Sequence, residues 1–143
     1  MNNSEKEDLL LAGKISKEVK EYIKTIIKKD KLLIEIAEQI ESKISDLRGQ
    51  IAFPVNLGIN EIAAHHTPAY NDEETAKGLL KVDFGVSING FTADSAISFD
   101  LENSEENKIL IKTAEESLKK AIELVSKDKT KTKINEIGLT IEK

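Results

Sequence analysis

The sequence predicts an α+β chain: two helices, a loop-rich segment of short strands, a β-hairpin, then two more helices. Three observations carry that reading. Apolar residues recur at three- and four-residue steps on both sides of the chain's middle. Residues 51–68, where this period stops, hold both prolines and both histidines. Two strand-like runs then meet at Asn89-Gly90, the strongest short hairpin signal.

Ser4 followed by Glu7 is a capping-box pattern that opens the first helix. Its inner face carries Ile15, Val19, Tyr22, Ile23, Ile26 and Ile27. After Lys28-Lys29-Asp30-Lys31, a second helix places Ile36, Ala37, Ile40, Ile44 and Leu47 on one face, and Gly49 marks its end. The strand pair runs from Leu80 to Phe99. Ser104 caps a third helix with Leu110, Ala114, Leu118, Ala121, Ile122 and Val125 inward. Thr132 caps a fourth with Ile134, Ile137 and Ile141 inward. No Gly, Asn or Pro closes that last stripe before Lys143, so the reading is of one incomplete domain over 1–143, a fragment of something longer. A weak internal echo agrees with it: Lys29-Asp30-Lys31 leading to Glu35-Ile36, and Lys127-Asp128-Lys129 leading to Glu136-Ile137. If the repeat is real, a second hairpin follows beyond Lys143.

Composition narrows the function classes. The 143 residues are 39% hydrophobic and 33% charged, with a formal net charge of -5, a globular rather than a disordered balance. Positive charges are interleaved with acids and form no basic block, which argues against nucleic acid as the main partner. Cysteine is absent, which excludes disulfides and thiolate metal sites. No apolar run approaches the roughly 20 residues of a membrane span, and residues 1–7 show no signal-peptide core. A cytoplasmic protein without a membrane partner is expected. Phosphate-binding glycine loops, serine-nucleophile elbows and zinc-protease helix signatures are missing.

The chemistry sits in the hairpin. With a two-residue loop at Asn89-Gly90, paired positions place Asp94 opposite Gly85, and Asp83 shares that face two residues away. The two carboxylates become diagonal neighbours, roughly 7 Å apart at Cβ. A four-residue loop keeps this register, whereas a three-residue loop puts the aspartates on opposite faces. Val82, Phe84, Val86 and Ile88 make the other face apolar, either the one against the core or one of two buried faces. Carboxylates this close can grip divalent cations, although on spacing alone a solvated polar face carrying two aspartates is the readier account, since Ser87, Asn89 and Ser95 are also polar. His65-His66 reads either as surface loop or as an imidazole able to hydrogen-bond or protonate a leaving amine.

Together, Ala52-Phe53-Pro54, Asn60-Glu61, Ala63-Ala64-His65-His66-Thr67-Pro68, Lys81-Val82-Asp83-Phe84-Gly85, Gly90-Phe91 and Ala93-Asp94-Ser95-Ala96 resemble type-II methionine aminopeptidases, particularly the archaeal form. The likeness runs in order from the first helix to Lys143. It implies the N-terminal half of a pita-bread metallopeptidase fold enclosing two divalent metal ions, with cobalt, manganese, iron and zinc all admissible. By the same resemblance Asp83 chelates one metal and Asp94 bridges both. His65 is then both catalytic and substrate-binding at the scissile amide, and Phe53 lines the methionine pocket. The implied partners are the N-termini of nascent polypeptides, from which the initiator methionine is removed.

The sequence departs from the family pattern at three points. Gly78-Leu79 stands where the family has Gly-Asp, Ser87 where histidine is common, and His66 where tyrosine is usual. The family's remaining ligands, one histidine and two glutamates, belong to its second half, so the 143 residues alone are expected to be inactive. The alternatives are a proline-dipeptidase-like enzyme, a non-catalytic pita-bread binding protein, and a half-protein that self-associates or joins a second polypeptide.

Overall fold

The central strand of the sheet is lined by Leu80, Val82, Phe84 and Val86, all fully buried, and the rest of the core is built against them. The computed structural model describes residues 1–127 and 131–142. Its elements follow the predicted order: α1 (Asn3–Ile26), α2 (Leu33–Asp46), β1 (Gln50–Ile51), β2 (Asn56–Ile59), β3 (Leu79–Ile88), β4 (Phe91–Asp100), α3 (Glu105–Lys127) and α4 (Ile134–Glu142). They form two compact units, Met1–Glu102 and Asn103–Lys143.

In the first unit β3 pairs with β4 along its whole length. On its other edge it meets β2 at Leu80–Asp83 and β1 at Val86–Ser87, all antiparallel. The chain leaves that edge between β1 and β2, at Phe53-Pro54-Val55, opposite the middle of β3. The hairpin turn is the two-residue form: Asn89 (φ 50°) and Gly90 (φ 86°) both take the left-handed region that a type I′ turn requires. Ile88 pairs with Phe91 and Gly85 with Asp94, the register read from the sequence.

Helices α1 and α2 cover one face of this sheet through Ile15, Val19, Ile23, Leu33, Ile36, Ile40 and Ile44. A fully buried leucine or isoleucine contributes about 1.5–3 kcal/mol relative to exposure, so this face holds most of the unit's stability. The first helix starts earlier than expected. Asn2, not Ser4, is the cap: its side chain accepts from Glu5 N–H while Glu5 accepts from Asn2 N–H. An equivalent box lies two residues upstream and adds helix length. The second helix ends at the expected place for a different reason. Arg48 (φ 64°) takes the left-handed position. The bonds Arg48 N–H to Ser45 O (2.9 Å) and Gly49 N–H to Ile44 O (3.0 Å) close a Schellman motif. Gly49 is instead a close-approach residue, since a Cβ there would lie 2.9 Å from Val86 Cγ1.

In the second unit α3 and α4 pack on each other. Ser104 caps α3 as expected, its Oγ accepting from Asn107 N–H. At α4 the helix opens one residue later than read, with Lys133 N–H donating to Glu136. The inward stripes are a correction: Leu110, Ala114, Leu118, Ile122, Val125, Ile134 and Ile141 are exposed, and Ala121 is the one buried residue of α3. Two helices share a narrow seam, too narrow to cover apolar stripes some 100° wide. The link read at Lys127-Asp128-Lys129 lies mostly outside the described residues. Among those residues no helix is long and apolar enough to cross a membrane.

Candidate active site

The face of β3 turned away from the helices carries Lys81, Asp83, Gly85 and Ser87, and the matching positions of β4 carry Asp94 and Ala96. Four of the candidate residues read from the sequence reach one place on this face. Asp83, Asp94, Phe53 and His65 line a single open cavity of about 420 Å³, completed by Pro54 and Asn56. Five different segments build it: the two hairpin strands, the break between β1 and β2, the start of β2, and the loop after β2.

Each is positioned by local structure. Asp83 pairs with Asn56 across β2 and with Ala96 across β4. Asp94 lies opposite Gly85, whose missing side chain leaves room for Phe53: a Cβ at Gly85 would collide with that ring and approach the Ala52 Cβ to 2.8 Å. Ala52 is fixed there by its N–H bond to Gly85 O (3.0 Å). His65 adopts φ 60°, a left-handed conformation that costs a non-glycine residue and that clusters at functional sites. The loop bearing it is tied to β2 twice, by Leu57 N–H to His66 O (2.7 Å) and by the Thr67 hydroxyl to Asn56 Oδ1 (3.1 Å).

The electrostatics single out Asp83. Burial first, and then the neighbouring Asp94 charge, raise its carboxyl above the usual value. The Asn56 hydrogen bond and the His65 charge pull it down, and a hydrogen bond with Asp94 raises it further. The two carboxylates line one cavity as a like-charged pair that a cation would relieve. His66 turns elsewhere. It does not line the cavity, and its Nε2 lies 3.2 Å from Glu74 Oε2.

The sequence reading missed Asn56. Its amide faces Asp83 and is oriented by Thr67, yet only the β2–β3 register shows this, and no turn motif near residues 60–78 fixes that register from sequence.

A four-stranded antiparallel sheet backed by two helices, with paired carboxylates on its open face, is the architecture of a family. The model of metallopeptidase family M24 matches residues 7–143, and the chain belongs to that family. Among curated proteins it is similar to the methionine aminopeptidases of Thermococcus onnurineus (44% identical over 96% of this chain and 46% of the relative) and Pyrococcus abyssi (42%, over 94% and 44%). The resemblance read from the motifs is thus borne out, and the chain spans about half the length of these relatives. Among solved structures, methionine aminopeptidase from Thermotoga maritima superposes with a TM-score of 0.78 at 25% identity, over 85% of this chain and 53% of that one. Prolidase from Pyrococcus furiosus shares the fold with a TM-score of 0.69 at 18% identity, over 84% of this chain and 36% of that one. The fold is the pita-bread fold of these enzymes.

Proposed function

We propose that this chain supplies half the active site of a cytoplasmic methionine aminopeptidase, which removes the initiator methionine from new polypeptides by dinuclear-metal-dependent hydrolysis. The observation that carries the reading is the meeting of Asp83 and Asp94 in one cavity that Phe53 and His65 also line. Hard and borderline divalent cations favour such oxygen donors, so the donor set fits. Asp83 and Asp94 would hold the metals, which when bound polarise a peptide carbonyl and lower the pKa of water.

The chain's own groups do the rest. Phe53 and Pro54 offer an apolar wall of the right kind for a thioether side chain. His65, held over the cavity by its loop, reaches toward a peptide nitrogen or oxygen as hydrogen-bond donor or proton carrier. Asn56, turned by the Thr67 hydroxyl, orients the Asp83 carboxylate. Ligands from outside these 143 residues complete the site in this reading, and the open second unit gives the chain apolar surface with which to meet a partner or a second copy.

The test compares methionine release from Met-Ala-Ser peptides with cleavage of Ala-Pro, with Co(II) or Mn(II) supplied. It uses this chain alone, and this chain joined to the C-terminal half of the Thermococcus relative. The chain alone is expected to release no appreciable methionine. The joined protein is expected to release it and to lose that activity with Asp94→Asn. Preference for Ala-Pro would move the assignment to the prolidase side, and robust release by the chain alone would refute the missing-ligand reading.

Asn56→Ala provides a second check. Loss of a ligand's outer partner typically weakens metal binding by about 10–100-fold, and about tenfold is expected for Mn(II) by calorimetric titration. Thr67→Val should follow in the same direction with a smaller loss, and Thr67→Ser should retain affinity. Unchanged binding in Asn56→Ala would remove Asn56 from the site.

A further inference from the structure

The loop that delivers His65 carries a second constellation that the proposed hydrolysis does not use. His66, Asp72 and Glu74, all partly buried, each offer one ligating atom, and the three atoms lie within 4.8 Å of one another. Among the described residues this is the one such group of three. We propose that these residues form a peripheral site for a single divalent cation of zinc's class, separate from the aspartate pair in the cavity.

The geometry is close to what one ion requires. Imidazole nitrogen and carboxylate oxygen bind zinc at about 2.0–2.2 Å, so two ligands on one tetrahedral ion stand roughly 3.3–3.6 Å apart. His66 Nε2 and Glu74 Oε2 are already 3.2 Å apart. The Asp72 oxygen lies within 4.8 Å of both. A hydrogen-bonded His66–Glu74 pair accounts for two of the three groups. It leaves the Asp72 carboxylate as added negative charge beside Glu74, and a divalent ion bound by one neutral imidazole and two carboxylates balances that charge.

The main chain beneath the ligands is fixed in advance. Leu57 N–H holds His66 O at 2.7 Å, and Leu33 N–H holds Glu74 O at 2.9 Å. Asp72 N–H reaches Ala69 O at 3.0 Å, and Glu74 N–H reaches Asp72 Oδ1 at 2.8 Å. The second lone pair of that oxygen and the whole of Oδ2 remain for a cation. Asp72 also borders an open groove of about 570 Å³ whose walls include Leu32, Ile34 and the exposed Tyr70. His66 and Glu74 do not line that groove, so it opens on the Asp72 side of the cluster alone, and three protein ligands leave the fourth tetrahedral position to water. Three protein ligands with one open position suit a borderline cation, whereas calcium would want six to eight oxygens. Bound there, the ion would clamp Ala69–Glu74 to the residue that follows His65.

The experiment uses the full chain with Asp83→Asn and Asp94→Asn, which silences the cavity, and zinc as the only added metal. Calorimetry should find one equivalent bound. Because the chain has two histidines, nitrogen-15 spectra of the rings read the ligand directly, and the His66 ring nitrogen is expected to shift on zinc addition. His66→Gln and Glu74→Gln, each in the same background, should lower affinity by about tenfold or more. Metal-free melting temperatures check that each variant is folded, and Asp72→Asn replaces any that is not. Absence of zinc binding, or binding at full strength after both substitutions, overturns the proposal.

Discussion

Asp94→Asn is expected to weaken divalent-metal binding at the hairpin by about a hundredfold or more while leaving the fold intact. Outer-shell changes already cost about 10–100-fold, and Asp94 is in this reading a direct ligand. The side chain is exposed on β4, so its replacement should change stability by no more than about 0.5 kcal/mol. Asp83→Asn should lose metal to a similar degree and show a second effect of opposite sign. Asp83 holds its proton more tightly in the folded chain than in the unfolded one, because burial and then Asp94 disfavour its charge. Its contribution is therefore fully present below its ordinary value near 3.8 and is lost as pH rises through the raised folded value. In chelator-stripped protein at pH 7, Asp83→Asn should be more stable than the parent, by no more than about 1 kcal/mol because solvent screens the pair. The difference should vanish in acid, where both side chains are neutral. Thermal melts at two pH values decide it, and a loss of stability at pH 7 would mean that the Asn56 bond outweighs the repulsion.

That asymmetry explains what was readable beforehand. The hairpin register followed from Asn89-Gly90 alone, since a turn of known length fixes every pair on both strands. The convergence of Asp83 and Asp94 followed with it. Ile15, Val19 and Ile23, and Ile36 and Ile40, announced their helices because burial selects apolar residues at the helical period. The third partner in the site, Asn56, was not legible. Nearly twenty residues separate β2 from β3, and nothing local sets their pairing. His66, Asp72 and Glu74 were equally silent, since their approach depends on the bonds from Leu57 and Leu33 to the loop's main chain, which no local motif announces. On α3 the pattern was right and the environment wrong: the stripe through Leu118 and Ile122 is helical, but its own unit does not bury it.

Gly85→Val should produce the largest loss of folding stability argued here, and it runs against strand propensity. A β-branched residue usually gains up to about 1 kcal/mol over glycine inside a strand. At this position the new Cβ would strike the Phe53 ring and come within 2.8 Å of the Ala52 Cβ. Ala52 cannot retreat without breaking its bond to Gly85 O, 3.0 Å long. Phe53, only partly buried, can swing away. Overpacking of this kind costs about 1–3 kcal/mol, so the clash outweighs propensity and the melting temperature should fall by roughly 3–10 °C. The ring's departure would also remove the apolar wall beside Asp94. Phe53→Leu combined with Gly85→Ala separates the two effects. If the collision with the ring is the cause, the double variant should recover about half or more of the loss suffered by Gly85→Ala alone, a coupling expected only between residues in contact. Additive losses in that cycle, or a Gly85→Val chain that melts higher than the parent, would show that the glycine is not kept for the aromatic ring. The cavity over the hairpin would then have to owe its shape to something other than Phe53.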